Sequence, residues 1–203
     1  MKEGKKLIVA IGRQYGSGGS EIGARLAKEL GIHFYDKNIL RMNSDQSGIK
    51  ESYYYLADEK AGNKLLYKIV KSLTPEKGSP SFGSDLVSAD NLFRFQSAVI
   101  RRLAQEESCI FIGRCADHVL RDFPNKFDFF IHGSIEDRIK RIQSCGDYEI
   151  EGKTPQAALE KMDKQRSTYY NYYTGKVWGK CDHYDMCINA GRLGVEHSVD
   201  IIL

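Results

Sequence analysis

The sequence predicts a three-layer α/β domain in which a parallel sheet is covered by helices on both faces. Two observations carry this reading. Short runs of branched apolar residues alternate along the chain with stretches whose apolar residues recur at helical spacing, a pattern that gives right-handed βαβ crossovers. The 203 residues, 41% hydrophobic and 28% charged, suffice for one domain with a sizeable core, and the composition excludes a disordered, collagen-like or solenoid chain.

Leu7 to Ile11 is a continuous apolar run suited to a strand buried on both faces. A glycine-rich stretch, Gly12 to Ser20, follows it. Ile22, Leu26 and Leu30 then recur every four residues, with Ala27 on the same stripe, so the order is strand, glycine loop, helix. Gly31 closes that helix, and Ile32 to Tyr35 makes a short second strand ending at Asp36. From Asn43 to Asp90, around a Tyr53-Tyr54-Tyr55 run, the periodicity loosens into a helical insertion with loops. Leu92, Phe95, Val99 and Leu103 define one helical face before the strand Cys109 to Ile112, and Phe127 to Ile131 is the next strand. Ser134 with Asp137, and Thr154 with Pro155, open two further helices, the first carrying Ile135, Ile139 and Ile142. Met186 to Ile188 is the last strand, and Val199 to Leu203 is assigned no element. Parallel sheets bind ligands at the carboxyl ends of their strands, which here carry Gly12, Asp36, Gly113, Arg114 and Asn189.

Thirty lysines and arginines against 27 aspartates and glutamates leave a net charge of +3 with no basic stripe, so charge points to neither nucleic acid nor a membrane as partner. No segment approaches the ~18 consecutive apolar residues of a membrane span. The apolar run after the charged Met1 to Lys6 is too short for a signal peptide, and the expected location is cytoplasmic. The 5 cysteines are odd in number and contain no Cys-x-x-Cys, which argues against a disulfide framework or a zinc ribbon. The cluster Cys181, His183, Cys187 matches no common zinc spacing. Nothing in the sequence identifies a protein partner, and homo-oligomerisation is left open.

A glycine loop between a buried strand and a helix aims several backbone N–H groups and the positive end of a helix dipole at one point, which is how phosphate is bound. Against the pattern G-x-x-x-x-G-K-[ST], Gly18 and Ser20 fall on the second glycine and the hydroxyl position, with Gly16, Ser17 and Gly19 completing the cradle. Gly19 stands where the lysine should be and Arg13 where the first glycine should be. The cation that phosphoryl transfer needs near the β- and γ-phosphates would then come from Arg13, reaching back over the turn; outward pairing with an acidic neighbour is the alternative. On the first reading Arg13→Ala abolishes transfer, and Gly19→Lys restores part of it in that background.

The run Ile11 to Gly23, then Phe34-Tyr35-Asp36, Arg94-Phe95-Gln96, Gly113-Arg114-Cys115-Ala116-Asp117 and Tyr169-Tyr170-x-x-Tyr173-Thr174-Gly175, resembles the cytidylate kinase-like proteins over nearly the whole chain. These are similar in turn to the bacterial cytidylate kinases among the P-loop nucleoside monophosphate kinases. The resemblance implies a single P-loop kinase-like domain over 1–203 with a five-stranded parallel core, an acceptor-binding insertion at about 40–90 and a lid at about 145–180. It also implies transfer of the γ-phosphate of ATP, with magnesium, to a nucleoside monophosphate, CMP or dCMP first.

Carried over position by position, the resemblance makes Arg114 the arginine that grips the acceptor phosphate in bidentate fashion, the alternative being a strand-end arginine paired to a structural carboxylate. Asp36 would orient magnesium waters or the acceptor, or cap a helix, and the Ser20 hydroxyl would sit on the metal. Asp163 and Arg166 match the lid's Asp-x-x-Arg, the aspartate touching the acceptor sugar and the arginine closing over the transferring phosphoryl group; an i,i+3 ion pair on a helix surface is the alternative. Arg13, Arg114 and Arg166 are thus the candidate catalytic residues.

Departures bear on the substrate. Cys115 replaces the aspartate that reads the cytosine edge, Gln96 aligns with a second base-reading arginine for which Arg94 is a substitute, and Leu159 replaces an arginine four residues before the lid aspartate. Lys37-Asn38 replaces Ser-Gly after Asp36, and Arg41 is displaced by one residue. A polar reader discriminates strongly only when its partner atoms are present, so these changes bear directly on cytosine specificity. The tyrosines 169, 170, 172 and 173 are read as packing of the lid on the core or on a second subunit in preference to base stacking. Two other functions compete with the monophosphate kinase: a kinase of another small-molecule acceptor, and a non-catalytic nucleotide-binding or sensing protein.

Overall fold

The computed structural model describes residues 6–36, 89–145 and 154–203. The insertion expected at about 40–90, with Lys37, Asn38 and Arg41, lies outside the described residues except for its last two positions, as do residues 146–153 of the lid.

Strands β1 (Ile8–Arg13), β2 (His33–Tyr35), β3 (Cys109–Ile112), β4 (Lys126–His132) and β5 (Met186–Asn189) form a 5-stranded parallel sheet in the order β2-β3-β1-β4-β5. Ile11 is level with Ile112 on one side and Phe129 on the other, so the strands end together along one rim. The helices are α1 (Gly19–Leu30), α2 (Ala89–Glu106), α3 (Ala116–Val119), α4 (Ile135–Cys145), α5 (Pro155–Thr174) and α6 (Ala190–Ile202).

Alternation along β1 sorts its side chains between two cores. Val9 and Ile11 pack with Ile22 and Leu26 of α1 and Val199 of α6, while Ile8 and Ala10 pack with Val99 and Leu103 of α2 and Leu120 beyond α3. Leu26 is 0% exposed. Leu26→Ala is therefore expected to lower the unfolding free energy by about 2–5 kcal/mol, read by urea denaturation, a large share of the roughly 5–15 kcal/mol that holds a domain together.

The helix starts follow their sequence signals. Ser134 Oγ accepts from the Asp137 N–H at 3.1 Å, and Thr154 Oγ1 accepts from the Ala157 N–H at 3.2 Å with Pro155 at the first helical position. Gly31 ends α1 in the left-handed conformation. The final helix, α6, is not visible in the sequence pattern, because Gly191 and Gly194 dilute its apolar stripe and Gly194 breaks it with φ 75°, ψ 171°. Asn189, one of the strand-end candidates, caps α6 by accepting from the Arg192 N–H at 3.3 Å. Among the described residues no helix is long and apolar enough to cross a membrane.

Candidate active site

The loop between β1 and α1 is fixed at its base. The Gln14 N–H donates to the Ile131 carbonyl at 3.0 Å, and Gln14 Oε1 accepts from the Gly133 N–H at 3.1 Å, which ties the loop to the end of β4. Ser17 closes the turn, donating to the Gln14 carbonyl from N–H at 3.3 Å and from Oγ at 2.8 Å. Gly18, at φ 85°, precedes α1 without a side-chain cap, so the helix begins on N–H groups that no cap side chain engages. That is the arrangement that receives a phosphate.

Arg13 lies across the rim of the sheet and does not turn outward. Its stem runs beside Gly19, where an added Cβ would stand 2.6 Å from Arg13 Cβ, and its guanidinium covers Gly113, where an added Cβ would stand 2.1 Å from Nη1. The two glycines are the space this arginine occupies. Nη2 lies 3.7 Å from Asp36 Oδ1, with the two side chains 18% and 16% exposed. Nε is buried with no hydrogen-bond partner among the described residues. Burial pushes the guanidinium down to about 9, nearby Arg166 acts in the same direction, Asp36 opposes both, and Arg114 lowers it again. The group stays charged at neutral pH, so the charges of Arg166 and Arg114 press on it at the sheet rim with Asp36 beside it.

Gly113, Arg114 and Cys115 adopt three successive left-handed conformations, φ 66°, 59° and 55°. For arginine and cysteine this costs roughly 1–3 kcal/mol each and persists because the surroundings fix it. The Ala116 N–H donates to the Gly113 carbonyl at 3.1 Å and the Val119 N–H to the Cys115 carbonyl at 2.8 Å. This strained turn sets Arg114 beside Arg13. Cys115 is 3% exposed, and burial raises its thiol to about 12, so it offers an apolar, unreactive surface. Gln96, also 3% exposed, accepts from the Tyr169 hydroxyl at 3.3 Å, whereas Arg94 is exposed.

Helix α5, which falls in the span where a lid is expected, brings Asp163 and Arg166 to the loop. Arg166 Nη1 donates to the Arg13 carbonyl at 3.1 Å, and its guanidinium lies 5.5 Å over the Tyr15 ring. Asp163 Oδ1 accepts from the Tyr15 N–H at 2.7 Å, and Oδ2 accepts from Arg138 Nη1 at 2.5 Å. Leu159, at the position of a family arginine, is buried against Tyr15 and Ile142. Sequence reasoning missed two residues of α4. Arg138 donates to the Tyr15 carbonyl at 3.1 Å, and Arg141 pairs with Glu21 and lies beside Gly18, where an added Cβ would be 3.0 Å from its Cζ. The signal was available in their i,i+3 spacing, but the helix had been read by its isoleucines alone.

Three of the four tyrosines pack the lid on the core. The Tyr170 hydroxyl donates to Asp117 at 2.6 Å, the Tyr173 hydroxyl donates to Asp90 at 3.1 Å, and the Tyr173 ring stacks on Phe93 at 4.0 Å. Tyr169 reaches Gln96, and Tyr172 is 71% exposed.

Two solved structures resemble this arrangement along its whole length. An uncharacterized protein from Eubacterium ventriosum is 28% identical, with 97% of this chain and 96% of that chain covered at a TM-score of 0.66. Shikimate kinase from Bacteroides thetaiotaomicron, 11% identical with 97% and 96% covered at a TM-score of 0.53, shares the fold. Among curated proteins nothing matches the chain. The profile of the cytidylate kinase-like family matches residues 8–192, and with the glycine loop, the parallel sheet and the strand-end arginines in place, the chain belongs to that family.

Proposed function

We propose that the protein is an ATP-dependent phosphotransferase whose acceptor is a nucleoside monophosphate, with CMP and dCMP, giving CDP and dCDP, the first candidates. The observation that supports this is the grouping of Arg114, Arg166 and Asp36 about Arg13 beside an uncapped glycine loop. Like charges held close together repel, and a triphosphate facing an acceptor phosphate brings negative charge to them.

On this reading Gly16 to Ser20 cradle the phosphates of ATP and Arg114 grips the acceptor phosphate. Arg166 neutralises the charge that spreads over the transferring group. The Ser20 hydroxyl and the Asp36 carboxylate are the groups that would hold magnesium, which when bound would neutralise phosphate charge. On this reading Arg94 and Gln96 stand on the acceptor side, whereas the contacts of Asp163 are to the glycine loop and Arg138. Purified protein with ATP, magnesium and a panel of CMP, dCMP, UMP and AMP should release ADP. Silence across that panel, together with no shift in melting temperature from other phosphorylated or hydroxylated metabolites in the presence of a non-hydrolysable ATP analogue, removes the reading.

A second reading, a nucleotide-binding or sensing protein without turnover, is favoured by Gly19 in the lysine position and by the buried, apolar Cys115 and Leu159 where the more distantly similar cytidylate kinases have charged residues. Tight ATP binding by calorimetry with no transfer to any acceptor would select it.

A further inference from the structure

We infer that Arg138 and Asp163 form a clamp on the backbone of Tyr15 that holds the glycine loop in its nucleotide-binding shape. Arg138 is then a positioning residue, and Asp163 acts on the ATP side of the site in place of the acceptor sugar. The inference rests on the phosphotransferase reading of the loop.

Both polar groups of the Tyr15 peptide are taken by the clamp. Asp163 Oδ1 receives its N–H at 2.7 Å, Arg138 Nη1 donates to its carbonyl at 3.1 Å, and the same nitrogen joins Asp163 Oδ2 at 2.5 Å. Arg138 is 6% exposed and Tyr15 is 8% exposed. A guanidinium that deep is retained only against a partner that repays its desolvation, and removing one member leaves the other charge buried and unpaired. Packing works in the same direction. The Tyr15 ring lies with Ile142 of α4 and Leu159 of α5, and an added Cβ on Gly16 would meet Ile142 Cγ2 at 3.0 Å and the Arg138 carbonyl at 3.1 Å. The middle of the loop is therefore anchored on α4 and α5, where its base is anchored on β4. A sugar hydroxyl seeking Asp163 would have to share its oxygens with a backbone N–H and a guanidinium. Asp163 also lies one turn before Arg166 on α5, so the helix that brings Arg166 to the cation cluster is the one that shapes the loop.

The test is calorimetry of a non-hydrolysable ATP analogue with magnesium, and separately of CMP, on the full chain and on R138Q, D163N and the double variant. Each single change should weaken analogue binding about tenfold or more, and the double should be no weaker than the worse single within about twofold, because both break one unit. CMP affinity should stay within about twofold. Thermal denaturation checks the fold, and R138K, which keeps the charge but is shorter and lacks the planar fork, carries the test if R138Q does not fold. Unchanged analogue binding in the folded single variants, multiplicative losses in the double, or loss of CMP binding with analogue binding intact each overturn the clamp. A native chain that binds no analogue overturns the phosphotransferase reading along with it, whereas intact native binding with unaffected variants overturns the clamp alone.

Discussion

Arg13→Ala is expected to lower the turnover number by about a thousandfold or more and to weaken ATP binding by roughly tenfold. The reason is positional. No lysine rises from the start of α1, and the guanidinium that crosses the sheet rim from the end of β1 is held by Asp36 and confined by Gly19 and Gly113. Steady-state kinetics with ATP varied, plus calorimetry of the analogue, separate the two effects. Turnover that survives the change would transfer the role to Arg114 or Arg166.

The geometry also corrects the rescue expected from the sequence. A lysine at position 19 needs a Cβ, and that atom would stand 2.6 Å from Arg13 Cβ, which alanine retains. Gly19→Lys in the Arg13→Ala background should therefore destabilise the loop by about 1–3 kcal/mol and restore nothing. Arg13→Gly with Gly19→Lys removes the collision and returns the cation to the helix start, so this exchange should recover part of the activity that Arg13→Ala loses. Arginine at 13 and glycine at 19 are in this sense one feature written at two positions.

Legibility followed the range of the interactions. The glycine loop could be read from Leu7 to Leu30 because strand, turn and helix signals are local, and the strand-end rule picked out Asp36 and Arg114 before any contact was known. Arg114 and Arg166 came from the family resemblance and Arg13 from the missing loop lysine, since no periodicity brings residues from β1, the turn after β3 and α5 together. The i,i+3 spacing of Arg138 and Arg141 marks a basic face on α4, but the partners of Arg138, a backbone carbonyl 123 residues away and Asp163, are brought to it only by tertiary packing. The last helix escaped for the opposite reason: its own composition, with Gly191 and Gly194, argues against what packing on β1 through Val199 enforces.

Arg166→Ala is expected to lower the turnover number by about a hundredfold or more, equivalent to about 2.7 kcal/mol of transition-state stabilisation, with a smaller change in the affinity for ATP. A helix-surface ion pair would be worth only a few tenths of a kcal/mol. The observed contacts differ from such a pair: Arg166 donates to the Arg13 carbonyl and covers the Tyr15 ring, and its charge presses on the Arg13 guanidinium. Two like charges held together in this way are relieved by a group carrying several negative oxygens, and most strongly when that charge is spread over a transferring phosphoryl group. Removing Arg166 lets the Arg13 pKa rise from about 9 toward its ordinary value, so Arg13 is charged near neutrality in both proteins. Any loss of rate at pH 7 then reports the missing Arg166 cation and not a change in Arg13. Arg166→Lys, which keeps the charge but loses the fork, should fall between the two in turnover. Turnover and KM for ATP and for the monophosphate, measured beside melting temperature, decide the matter. A fall in stability that accounts for the whole fall in activity would make Arg166 a support of the loop and nothing more.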